Sequence, residues 1–181
     1  PPQQQSPQPP PPPPTPPSRR QLASAFWLYE AFLEQSAANW AGDGFEGVWV
    51  QTRAVAQIVA AAAPRLARHL RRIDESRSPE LADAQPLACL FQAALLRLKR
   101  EMASYEQACR VWEVCWAAGG DFHLKVLAGL VLSQQAAILR LKPHGSGFAE
   151  LHRHFMQLEG RLQAAPLLQA ARRLQWCGRR R

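Results

Sequence analysis

Lysine is scarce in this sequence. Lys99, Lys125 and Lys142 are the only three among 22 basic residues in a chain of 181. The net charge is nevertheless +8, so the surface is basic through arginine. A basic surface can meet nucleic acid, acidic lipid or an acidic protein. Here the arginines are scattered, apart from Arg68 with Arg71 and Arg72 and the tail Arg179, Arg180, Arg181. Scattered arginine reads as the solvated side of helices, and nucleic acid is not the expected partner. Long apolar runs are also missing, and none approaches the roughly 20 residues of a membrane-crossing helix. Cysteine is sparse, at positions 89, 109, 115 and 177, with no Cys-x-x-Cys pair. That spacing argues against a zinc site or a dithiol redox motif. Cys89, Cys109 and Cys115 fall on apolar stripes and read as free core thiols. Free thiols fit a reducing, cytoplasmic compartment.

Catalytic signatures are missing too. There is no Gly-rich phosphate loop, no Ser-His-Asp set and no paired-carboxylate pattern. His152 and His154 stand two apart on an expected helix, so they diverge and do not suggest a metal site. No cofactor is expected. Alternating strand patterns and fixed-period repeats are absent as well.

Helical periodicity and proline are what the sequence does contain. Residues 1–17 hold eleven of the sixteen prolines, including an unbroken run from Pro9 to Pro14. Such a segment favours extended polyproline II and cannot bury a core. Residues 1–23 read as a disordered Pro-rich linker, with 7–17 a docking site for SH3- or WW-type domains as the alternative. The chain opens on Pro1, not Met, and reads as a fragment, a processed product or a truncated gene model.

The helical region is expected over 24–176, followed by a basic tail over 177–181. The first helix is placed at about Ser24 to Asn39, capped by Ser24. Phe26, Trp27, Leu28, Tyr29, Phe32 and Leu33 make it apolar on several sides and suggest burial. A second helix follows at about Val48 to Ala63, and a third from Arg65 to Ile73 with Pro64 at its first position. Asp74 to Gln85 reads as a loop. Leu87, Leu90, Phe91, Ala94, Leu95, Leu98 and Met102 recur at helical steps and predict one helix over 86–102. Ser104 then caps a further helix carrying Tyr105, Ala108, Cys109, Trp112, Cys115 and Trp116 inward. These two helices are expected to pack as an antiparallel pair. Gly119 and Gly120 end the second. Asp121 is expected to cap a long central helix from Phe122 to about Leu141. Stripes at 148–158 and 162–174 complete an all-α domain of about seven packed helices.

Three segments along this pattern resemble the TBC domain of Rab GTPase-activating proteins. Leu98-Lys99-Arg100-Glu101-Met102 is similar to the Phe-Lys-Arg-Glu-Phe end of a helix in that family. Arg110-Val111-Trp112-Glu113-Val114 is similar to its Arg-Leu-Trp-Glu-Val. Phe122-His123-Leu124 matches its Phe-His-Leu. Ala25-Phe26-Trp27 resembles its Ala-Phe-Trp helix, Pro64 to Leu70 its Asp-Pro-x-Leu-x-x-His-Leu, and Leu158-Glu159-Gly160 its Asn-Glu-Leu-Ser-Gly turn. The resemblance covers about Ser24 to Leu174 and implies the C-terminal lobe of a TBC domain. It departs at Gln92-Ala93, where the family has Arg-Trp.

The resemblance implies a Rab-type GTPase partner and a cytoplasmic setting, peripheral on endomembranes. The family supplies an arginine from Ile-x-x-Asp-x-x-Arg and a glutamine from Tyr-x-Gln-Gly. An arginine finger of this kind is worth roughly a thousandfold or more in rate. Neither motif is present. Tyr105-Glu106-Gln107 is followed by Ala108, not glycine. It reads as structural, with Tyr105 in the core and Glu106 paired to Arg110. The chain alone is therefore not expected to be an enzyme or to stimulate hydrolysis. The alternative is a non-catalytic helical interaction module with a Pro-rich docking arm. Phe26, Trp27, Lys99, Arg100, Glu101, Arg110, Trp112, Glu113, Phe122, His123 and Leu124 carry the resemblance and read as structural. Trp112 and Trp116 are expected in the core, and Glu113 to pair with Lys99 or Arg100. A lone C-terminal lobe would also expose apolar residues of its first helix, Phe26, Trp27 and Phe32 among them.

Overall fold

The computed structural model describes residues 16–40 and 44–175. The docking segment is outside this range up to residue 15, and so are Cys177 and the basic tail. The described residues are all-helical, with ten α-helices and no strands. They are α1 (Arg19–Trp40), α2 (Glu46–Ala62), α3 (Pro64–Glu75), α4 (Pro79–Ala84) and α5 (Phe91–Leu95), then α6 (Tyr105–Ala118), α7 (Phe122–Ser133), α8 (Gln135–Ile138), α9 (Gly147–Met156) and α10 (Ala164–Arg173). A 3-10 turn, Ala88–Leu90, precedes α5.

The chain divides into two compact units, Pro1–Ala37 and Ala38–Arg181. In the first, α1 begins at Arg19, five residues before the expected start. Ser18 caps it: the Gln21 N–H donates to Ser18 Oγ, and Ser18 N–H donates to Gln21 Oε1 at 2.8 Å. This reciprocal pair satisfies donors that a helix start leaves open, so residues 19–23 are helix and not linker. The expected burial of this helix is not found. Phe26, Trp27, Leu28 and Tyr29 are 60%, 66%, 59% and 60% exposed.

In the second unit the core runs from Val48 to Ala171 and centres on α7. Val126, Ala128, Leu130 and Val131 are at most 1% exposed. α7 packs against α10 and α2, and α2 against α3 and α5. Gly129 brings α7 close to α10: a Cβ there would meet the Ala171 backbone nitrogen at 3.4 Å. Pro64 opens α3 as expected.

Four expectations fail here. The segment 74–85 is not a loop throughout, because Ser78 caps α4 by accepting from the Leu81 N–H, with Pro79 at the first position. The helix expected from Phe122 to Leu141 stops at Ser133 and resumes as the single turn α8. Asp121 sits at the N-cap of α7, but its side chain makes no cap hydrogen bond. The fourth is the largest departure. No helix spans 86–102. Leu87 (φ +54) starts the 3-10 turn, and Arg97 and Leu98 (φ +50 and +64) end α5 in left-handed geometry. Leu98 N–H donates to Ala93 O at 2.9 Å and Arg97 N–H to Ala94 O at 3.4 Å. That is the double bond pattern that closes helices, here with arginine in place of the usual glycine. The expected antiparallel pair of long helices therefore does not form. α6 packs instead against α10 and α7.

Candidate functional site

Arg100, Glu101 and Trp112, among the residues that carry the resemblance, lie at or bond to the turn that follows α5. Because the backbone reverses at Arg97 and Leu98, the next residues leave the helix axis and run beside the turn before α10. Arg100 O accepts from Gly160 N–H at 3.0 Å. Glu101 O accepts from Arg161 N–H at 3.1 Å and from Leu162 N–H at 2.9 Å. Ala103 N–H donates to Leu162 O at 2.8 Å. Two segments some 60 positions apart in sequence are thus clasped by main-chain bonds, with Met102 and Leu162 in a parallel bridge. Gly160 has φ +68, a conformation that glycine adopts without a Cβ clash.

Side chains reinforce the clasp. Trp112 on α6 donates its indole N–H to Arg97 O at 2.8 Å, which satisfies a carbonyl that the chain reversal turns out of the helix. Gln107, also on α6, accepts from the Ala164 N–H at 2.8 Å and so caps α10 from another helix. Glu101 is 2% exposed. Its Oε1 accepts from Arg100 Nη2 at 2.8 Å, and its Oε2 has no hydrogen-bond partner. Arg100 Nη1 also bonds Gln92 Oε1 and approaches Met156 Sδ at 3.2 Å. Gln92, the position that departs from the family pattern, is thus a partner of Arg100. The expected pairing of Glu113 with Lys99 or Arg100 is not found, because Arg100 is drawn to the adjacent buried carboxylate. Lys99, Arg110 and Glu113 are exposed and enter no ion pair among the described residues.

Beside the turn, His123 is held almost entirely neutral. Burial and then the Arg97 charge push its pKa down to about 3, against a smaller opposing effect of a backbone hydrogen bond at Gly120. Burial pushes the Cys115 thiol up to about 11, opposed by Arg97. Burial likewise lowers the Arg97 pKa. Burial raises the Cys89 thiol well above its ordinary value. These thiols are protonated and poor nucleophiles at neutral pH. Leu124 is buried and Phe122 half-buried.

Several side chains expected inside are at the surface. Tyr105 is 62% exposed and Trp116 37%; each lies toward an end of α6. Tyr105 instead meets Trp112 edge-on, ring centroids 6.1 Å apart. Cys109 and Cys115 are half-buried rather than core. Glu106 does not pair with Arg110. The Ser104 hydroxyl bonds its carboxylate and lowers its pKa. Phe26 and Trp27 belong to the first unit.

Asp74, the first residue of the segment expected as loop, belongs to α3. Asp74 is 3% exposed on α3. It continues the buried face formed by Leu66, Leu70 and Ile73, and that spacing is the signal for its burial. Its Oδ2 accepts from the Leu87 N–H at 2.9 Å.

No protein-family model matches this chain, and no curated protein matches it either. No helix among the described residues is long and apolar enough to cross a membrane. The clasp joins two segments by main-chain hydrogen bonds. Its carboxylate is buried, and the Cys115 thiol beside Arg97 is protonated at neutral pH. Among the described residues no three His, Cys, Asp or Glu side chains converge on one point.

Proposed function

We propose that this chain is the C-terminal helical lobe of a TBC-type Rab GTPase-activating protein and contributes part of a Rab-binding surface. One observation carries the reading. Two stretches that resemble the family, Leu98–Met102 and the turn at Leu158–Gly160, lie some 60 positions apart and are clasped through Gly160, Arg161 and Leu162 on Arg100 and Glu101. Trp112, from the Arg110–Val114 stretch, donates to Arg97 O beside them. Lys99, Arg110 and Glu113 stay exposed around it as groups a partner can contact. The chain contains neither Ile-x-x-Asp-x-x-Arg nor Tyr-x-Gln-Gly, so it binds without stimulating hydrolysis by the family's two-finger chemistry.

The test is binding of this chain to a panel of Rab GTPases, each loaded with GDP or with a non-hydrolysable GTP analogue, alongside the rate of GTP hydrolysis. At least one Rab is expected to bind with a preference for one nucleotide state, its hydrolysis rate unchanged. Retention of no Rab in either state sinks the reading. It would favour the second reading, a helical interaction module. The observation on that side is the row of exposed aromatics on α1, Phe26, Trp27 and Tyr29, since apolar clusters of this kind mark interaction surfaces.

A further inference from the structure

α1 carries an apolar seam that is left exposed. Leu22, Phe26, Tyr29 and Leu33 follow one another at steps of four, three and four residues. That spacing keeps side chains on one face of a helix and lets two helices pack lengthwise. Leu22, Phe26 and Tyr29 are more than half exposed, and Leu33 is 39% exposed. The seam is about 17 Å long, at the rise of a helix.

The charges beside the seam are ones that a lone helix does not favour. Arg19 and Arg20 occupy the first turn, which holds no acidic residue. A helix start is the positive end of the dipole and disfavours cations. Glu30 and Glu34 stand four apart in the second half of α1, a like-charge pair that repels along a helix face. All four are exposed and enter no ion pair among the described residues. At about 100° per residue, Arg19, Glu30 and Glu34 fall on the same side of the seam.

We propose that two copies of this chain pair through α1, antiparallel, with the four seam residues at the contact. Phe26 then faces the second copy's Tyr29, and Leu22 the second copy's Leu33. This register puts Arg19 about two residues, roughly 3 Å, along the axis from the second copy's Glu34, on the same side of the contact. Two-fold symmetry makes the match twice. A parallel pair would set Arg19 against Arg19 and Glu34 against Glu34. The order of the charges therefore selects the antiparallel arrangement, and it makes the face complementary to itself. Trp27 points away from the seam and takes no part. The pairing does not depend on the Rab reading.

The experiment is analytical ultracentrifugation of the full chain at low salt, from about 1 to about 500 µM, a range suited to a contact smaller than a standard interface. The unaltered chain is expected to pass from one copy to two and to stop there, because a two-fold contact closes on itself. Phe26→Glu sets like charges near the centre of the seam and should hold the chain at one copy. Trp27→Glu makes a similar change off the seam and should leave the pairing in place. Arg19→Glu suits a helix start, so α1 stays formed, yet it should weaken the pair about tenfold by turning two attractions into repulsions. Adding Glu34→Arg to Arg19→Glu reverses both charges and should restore the pair. Circular dichroism checks that each variant keeps its helix content. A chain that stays single at the highest concentration overturns the proposal and leaves the face to a different protein. Growth past two copies overturns it as well, and so does equal weakening by Phe26→Glu and Trp27→Glu, since either marks unspecific apolar contact. Failure of the double charge reversal to restore pairing overturns the antiparallel register.

Discussion

α1 and α7 both carry runs of large apolar side chains, and those runs have opposite fates. α7 carries Leu124, Val126, Leu127, Ala128, Leu130 and Val131, and all are buried. α1 carries Leu22, Phe26, Trp27, Leu28 and Tyr29, and all are more than half exposed. α7 has packing partners in α10 and α2, and a glycine that lets one of them approach. The aromatics of α1 are heavier, yet side-chain size does not create a neighbour. An apolar helix surface records an opportunity for burial, and only surrounding elements turn it into stability.

The sharpest way to break this comparison is to cut one side chain from each helix. Leu130→Ala removes a fully buried side chain and should cost about 3 kcal/mol in chemical denaturation, as buried leucines do. If it costs less than about 1 kcal/mol, α7 is not the centre of the core.

Burial should also be visible to protons, with opposite signs at two sites in the second unit. Burial raises Asp74 to about 6, against smaller opposing effects of the Leu87 N–H and Arg77. The folded state then holds a proton more tightly than the unfolded one, so stability falls as pH rises from about 4 to about 6. Asp74→Asn should remove this loss, gaining on the unaltered chain by about 2 kcal/mol across that window. His123, lowered to about 3, works the other way. It is neutral when folded and charged when unfolded, so stability falls as pH drops from about 6.5 toward 3. Replacing it, as in His123→Asn, should flatten that acid limb. Parallel curves for the unaltered chain and both variants would show that neither group is sealed from water.

The smallest expected effect completes the comparison. Trp27→Ala removes a large side chain of α1 from an exposed position. It should change stability by no more than about 0.5 kcal/mol. A loss above about 2 kcal/mol would mean that this face of α1 is covered in solution.

Local chemistry made much of the chain legible. Pro64 at the first turn of α3 and Ser104 as the cap of α6, accepting from the Gln107 N–H, follow from two or three neighbouring residues. Gly119 and Gly120, with φ +65 and +52, end α6 as their lack of a Cβ suggests. Long-range closure was not legible. The stretch 86–102 has the full helical stripe, and Leu87, Leu90, Ala94, Leu98 and Met102 are indeed all buried. They are buried from a broken path, because the same residues face the core whether the backbone is a helix or a series of turns. Arg97 gives no sign in its own residue type that it takes a left-handed conformation. The candidate site shows the same division. Arg100, Glu101 and Trp112 stand out as a motif, whereas their partners Gln92, Gly160 and Leu162 cannot be paired with them by local periodicity.

The sequence by itself determined that this is an all-α protein, where most helices begin, and which residues seek the interior. Those properties rest on backbone sterics, capping hydrogen bonds and the spacing of apolar side chains, all local. The tertiary structure alone decided that the helix expected over 86–102 breaks at Arg97, that Glu101 is sealed beside Arg100, and that Asp74 is buried with one oxygen unpartnered. It also decided that α7 is enclosed while the aromatics of α1 are not. Each depends on hydrogen bonds and packing between residues distant in sequence, whose free energy outweighs local preference only once the fold brings them together.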